Sequence, residues 1–184
     1  MTLISVVLGQ KRLEIVRELA PKASIVAMLV NPMSPDAVPE IGLVQEAARS
    51  LGLELAIFNA GAPNEFAAAF AARNPDALLV GTDPLFVNRR DDIRAAAARV
   101  KMPAIYPFRE FSSAGGIVSY GTSIPNGYRQ AGIYAGRILK GDKPSDLPVM
   151  QPTAFELVIN LKTARELGID IPATLHVRSD EVIE

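Results

Sequence analysis

Apolar positions along the chain follow two patterns that alternate. Some stretches are apolar at nearly every position: SIVAMLV (24–30), LELAIFNA (53–60), DALLVGT (76–82) and PAIYPF (103–108). Such short, non-alternating runs predict strands covered on both faces. Between them, apolar residues recur at helical spacing. Leu13, Val16 and Leu19 do so from Gln10 to Leu19, with Lys11, Arg12, Glu14, Arg17 and Glu18 between them, and Pro21 stops that helix. Further helices are predicted over 36–52, closed by Gly52, over 65–73, capped by Asn64, and over 89–101. Strands and helices alternating through short connections predict an α/β fold: a parallel, Rossmann-like sheet with helices on both faces and right-handed crossovers.

The pattern changes after residue 113. GGIVSYGTS (115–123) predicts a strand entered through a glycine pair, and PNGYRQAGIYAGRILK (125–140) a long helix closed by Gly141. Residues 141–153 carry three prolines and predict an extended connector. FELVINLKTARELG (155–168) predicts a strand running into a helix, with Asn160 or the residues just after it as the cap. The tail from Ile169 reads as short and irregular.

In open α/β sheets ligands bind beyond the carboxyl ends of the strands. Those ends read NPMSP (31–35), NAGAP (59–63), GTDP (81–84), YPFREF (106–111) and SYGTS (119–123). Small polar residues beside proline and glycine make a rigid rim suited to a small polar ligand. In GTDP, Gly81 would let the backbone approach a ligand, Thr82 and Asp83 would present polar atoms, and Pro84 would stiffen the turn. Tyr106, Phe108, Phe111 and Tyr120 can form an apolar wall, and Arg109 can grip a carboxylate. Each has a plainer reading. Asn31 and Asp83 are ordinary turn or cap residues, one of Tyr106 and Phe108 can be core, and Arg109 with Glu110 can be a solvated pair.

Composition narrows the chemistry. Of 184 residues, 49% are hydrophobic, enough for a real core. Lys and Arg (19) balance Asp and Glu (20), so no basic footprint points to nucleic acid. Cysteine is absent and His176 is the single histidine, which removes disulfides, thiolate chemistry and multi-histidine metal sites. No nucleophile elbow, phosphate-binding loop or dinucleotide fingerprint occurs. Asp91 and Asp92 lie inside a predicted helix, away from the strand tips. No catalytic residue, metal or cofactor is expected. The apolar run Leu3–Leu8 has no basic residues before it, so the chain as written shows no secretory leader, and no apolar stretch approaches the ~20 residues of a membrane span.

Several segments together resemble one family. KRLEIVRELAPKASIVAMLVNPMSP (11–35), DALLVGTDPLF (76–86), PAIYPFREFSSAGGIVSYG (103–121), residues 128–172 and RSDEVIE (178–184) are similar to ABC-transporter substrate-binding proteins, which are type I periplasmic binding proteins. KGDKPSDLPVMQPTAFELVINLKTARELG is the most specific stretch. The resemblance implies two α/β lobes holding a small solute in the cleft between them, and an ABC permease as partner of the full-length protein. Some relatives take up aromatic amino acids. It implies a periplasmic location for the full-length family and a chain matching only the later part of such a protein. Residues 10–113 and 149–184 would form the second lobe and 114–148 a piece of the first.

Carried over by position, the resemblance implies that Asn31 and Ser34 make polar contacts and that Thr82 and Asp83 anchor an amine or hydroxyl. Tyr106 and Phe108 would form the wall, with Tyr120 and Gly121 near the hinge. Parted from its own sheet, the 116–121 strand would lack a partner, and Tyr128, Ile133, Tyr134 and Ile138 would leave an apolar face exposed. A homodimer or an arm-swapped dimer would cover it. The alternatives are a cytoplasmic ligand sensor of the same architecture and, on fold analogy alone, an α/β enzyme.

Overall fold

A computed structural model describes residues 4–60, 73–149 and 155–184. One seven-stranded sheet runs through it in the order β2-β1-β3-β4-β5-β6-β7. The strands are β1 (Ile25–Val30), β2 (Glu54–Asn59), β3 (Ala77–Val80), β4 (Ala104–Tyr106), β5 (Val118–Thr122), β6 (Phe155–Asn160) and β7 (Glu181–Ile183). The first five are parallel; β6 runs antiparallel to β5, and β7 is parallel to β6. The sheet is therefore mixed and mostly parallel.

Both faces are covered, which is why the strands read as continuous apolar runs. In β1, Val26, Met28 and Val30 face one core with Leu13 and Val16, while Ala27 and Leu29 face a second core with Phe86 and Ile93. Alternate side chains of one strand thus serve different cores. The first core takes helices α1 (Ile4–Leu19) and α2 (Ala37–Ser50), and the second takes α3 (Pro84–Asn88), α4 (Arg90–Arg99) and α5 (Arg109–Ser113). Helix α1 starts six residues before the predicted Gln10, because Val6 and Leu8 are buried as well. The helix predicted over 89–101 is preceded by the separate short α3, which Asp83 caps.

The strand over 116–121 does not lack a partner, which corrects that expectation. Val118 pairs with Ile105 of β4 and with Ile159 of β6, so β5 is an interior strand of this sheet. Only the following helix, α6 (Ile124–Leu139), stands apart, with none of its residues buried. Tyr128, Ile133 and Ile138 are exposed, as the spacing predicts, whereas Tyr134 is partly covered and its hydroxyl donates to the Pro148 carbonyl at 2.6 Å. Within the described part of the connector, Pro144–Asp146 form a 3-10 turn.

Asn160 caps α7 (Leu161–Leu167), its Oδ1 accepting from the Thr163 N–H at 2.9 Å. The tail is more regular than predicted. Helix α8 (Ala173–Arg178) anchors through fully buried Leu175, and β7 adds to the edge of β6. Three-residue β7 is too short for a periodic signal, and the free edge of β6 decides its pairing. The helix predicted over 65–73 lies, up to residue 72, outside the described residues, as does its cap Asn64.

Candidate ligand-binding rim

The parallel register aligns the carboxyl ends of β1, β3 and β4, with Leu29 beside Val80 and Leu79 beside Ile105. The turns that follow therefore reach one edge of the sheet. Asn31 and Ser34 both sit there, half-buried. The Asn31 Oδ1 accepts the Met33 N–H at 3.1 Å and its carbonyl accepts the Ser34 N–H at 3.0 Å, so the loop is a side-chain-stabilised turn.

Thr82 is buried rather than presented. Its Oγ1 accepts from Arg12 Nη2 at 2.7 Å and lies 3.2 Å from Glu40 Oε1, to which it donates; its N–H donates to Glu40 Oε2 at 3.0 Å. Arg12 Nη2 also meets Glu40 Oε1 at 2.6 Å. Arg12 is 1% and Glu40 2% exposed. Burial pushes the Glu40 carboxyl up and the Arg12 guanidinium down, and each is partly held back by the other's charge. Gly81 serves this cluster. A Cβ there would lie 2.8 Å from the Leu29 carbonyl oxygen and 3.3 Å from Glu40 Oε2. Its lack of a side chain lets β3 close on β1 and Glu40, which corrects the expectation that it admits a ligand.

Asp83 is buried at the start of α3, where its Oδ1 accepts the Leu85 N–H at 2.8 Å. Extended backbone at Asp83 and proline at the first helical position make this a regular N-cap.

Tyr106 lies in the core, 1% exposed, its ring stacked on Phe111 with centroids 4.8 Å apart. Burial raises its phenol well above the ordinary range. Phe108 is buried too, in the same core, so these two side chains fill the interior instead of forming an open wall. Tyr120 is half-buried, its ring 6.3 Å from that of Phe155 across β5 and β6. Next to it, a Cβ on Gly121 would lie 1.8 Å from the Pro107 carbonyl oxygen, so the backbones leaving β4 and β5 touch only because residue 121 is glycine. Arg109 does not pair with Glu110. Its Nη2 donates to both Glu181 oxygens, at 3.0 and 2.7 Å, with Glu156 4.0 Å away.

Spacing alone could have found Arg12 and Glu40. Leu8, Arg12 and Val16 recur every four residues, and Glu40 lies in line with Ala37, Val44 and Ala48, all buried. A charge on an apolar stripe implies a buried partner. Among the described residues no cluster of His, Cys, Asp or Glu is arranged to hold a metal ion, and no helix is long and apolar enough to cross a membrane.

A cavity of ≈ 520 Å³ opens at the opposite, amino-terminal edge, lined by residues including Leu19, Pro21, Asp76, Pro103 and Pro172. Of its two carboxylates, Asp76 and Asp170, the first already holds the Ser24 and Ile25 amides. The convergence of polar side chains is at the carboxyl-end rim, and the rim is the better candidate.

Comparison with known proteins identifies the family. Residues 5–183 match the family model described as ABC transporter substrate binding protein. A tyrosine-binding protein of Clostridioides difficile (strain R20291) is 24% identical over 176 residues, covering 93% of this chain and 51% of that protein. Among solved structures, a conserved domain protein from Vibrio cholerae superposes with a TM-score of 0.84 at 24% identity, over 95% of this chain and 60% of that one. An ABC domain in complex with L-Trp from Streptococcus pneumonia gives 0.83 at 24%, over 95% and 62%. The chain thus spans about half the length of the curated relative it matches. The match of the family model across nearly all of its length shows that this chain belongs to the ABC transporter substrate binding protein family.

Proposed function

We propose that this chain binds a small solute at its carboxyl-end rim and forms one wall of an interlobe cleft in the solute-binding component of an ABC importer. The observation that carries the reading is the convergence of Asn31, Ser34 and the Thr82–Asp83 turn on one edge of the sheet, with Tyr120 and Gly121 on β5, beyond β4 from β3. The role is binding, not catalysis, and the complete protein is periplasmic, with an ABC permease as its partner. The relatives named for tyrosine and crystallised with L-Trp support an amino acid with an aromatic body as the solute class. An exposed apolar face on α6, bearing Tyr128, Ile133 and Ile138, supports association of two copies of this chain.

Calorimetric titration with L-tyrosine and L-tryptophan tests the reading. Asp83→Asn keeps an N-cap and removes the charge. If the Asp83 carboxylate anchors the ligand amine, this variant binds about ten-fold or more weakly at unchanged stability, the scale of one charged hydrogen bond. Equal affinity in both would reduce Asp83 to a cap, and no binding of either amino acid by the wild type would overturn the solute class.

A further inference from the structure

We propose that Arg12 and Glu40 are positioning residues for the rim: their buried pair, closed on Thr82, sets where the Thr82–Asp83 turn stands. The inference rests on the rim being the binding site. Three elements meet at the cluster. Arg12 comes from α1, Glu40 from the first turn of α2, and Thr82 from the end of β3. Arg12 Nη2 donates to both Glu40 Oε1 and Thr82 Oγ1, at 2.6 and 2.7 Å. Glu40 in turn accepts the Thr82 N–H. The backbone at residue 82 is thus held from one side by a carboxylate that is itself held by a guanidinium. On the other side, the Gly81 N–H donates to the Leu29 carbonyl at 2.9 Å.

The next residue, Asp83, is the N-cap of α3, and its orientation follows from residue 82. Any contact Asp83 makes with a solute depends on two charged side chains that do not reach the solute themselves. A pair retained only for stability would be an odd choice. Well-packed apolar residues of similar volume often serve a buried site equally well or better. What they could not do is accept the Thr82 N–H.

This gives a test that separates positioning from stability. Arg12→Met combined with Glu40→Met keeps volume and removes both charges, so cooperative unfolding should persist. Amide hydrogen exchange is read at Leu85 and Phe86, which bond to Asp83 and not to the pair. The expected result is about ten-fold faster exchange there, with protection retained at Val26 to Leu29 and at Leu78 to Val80. Arg12→Met with Glu40→Gln restores an acceptor for Thr82 and should recover most of the protection. Affinity for L-tyrosine or L-tryptophan should fall in the first variant and recover in the second.

Exchange that rises uniformly, or does not rise at Leu85 and Phe86, would reduce the pair to a structural role. Failure of the wild type to bind either amino acid would sink the solute class while the exchange result still decides the positioning. Should the double-methionine variant not fold, the Thr82 amide of the wild type carries the test: held by Glu40, it should exchange as slowly as the strand amides of Leu78 to Val80. A Thr82 amide that exchanges about ten-fold or more faster than those strand amides then overturns the proposal.

Discussion

At the scale of single residues, exposure decides what a carboxylate contributes. Asp76 is exposed, yet its Oδ2 accepts the Ser24 and Ile25 N–H groups at 2.8 and 2.9 Å. Those two bonds favour the charged form and hold its pKa below the ordinary carboxylate value. A depressed folded pKa adds stability above the unfolded pKa and loses it as pH falls through the folded one. Asp76→Asn should therefore lower the urea midpoint at neutral pH, and the gap to wild type should close below about pH 4, where the unfolded carboxyl protonates. A gap that persists under acid conditions would show that shape, not charge, matters there. Glu40 is the opposite case. Its charge is buried against Arg12, and Arg12→Ala alone leaves it uncompensated. Chemical denaturation should report a loss of about 3–5 kcal/mol.

Among elements, the closest approach is between the ends of β4 and β5. Gly121 has no space for a Cβ against the Pro107 carbonyl, so Gly121→Ala must push the two backbones apart. Overpacking of this kind costs about 1–3 kcal/mol, and here the obstacle is backbone, which cannot rotate away. Gly42, inside α2, is the control: nothing lies within 4 Å of its added Cβ. Gly42→Ala should stabilise the protein by about 0.5–1 kcal/mol through helix propensity. Thermal unfolding of the two variants should move in opposite directions. The short helices α3 and α5 show why element boundaries were only partly legible. Each has five residues, too few for a period to register, and only the Asp83–Pro84 capping signal announced the first.

For the molecule as a whole, α6 is the element that the rest of the fold leaves uncovered among the described residues. Its entry strand is interior to the sheet, but the helix buries no residue, and Tyr128 is 76% exposed. If two copies associate through this face, light scattering should give a mass that rises with concentration. Tyr128→Ser with Ile133→Ser should return it to that of one chain, and a constant monomer mass in wild type would rule association out. The α/β order was readable from the sequence. Burial on both faces of a strand and on one face of a helix writes itself into local spacing. So were the rim segments, because strand ends and their turn residues are local too. Spacing could not tell which rim side chains face outward. Tyr106 and Phe108 went to the core, and Thr82 to Arg12 and Glu40. Those partners lie 70 and 42 residues from Thr82 along the chain. The pairing of β5 with antiparallel β6, and of β7 beyond it, was decided in the same way. Contacts between distant elements depend on how the sheet is ordered, and only the tertiary structure sets that order.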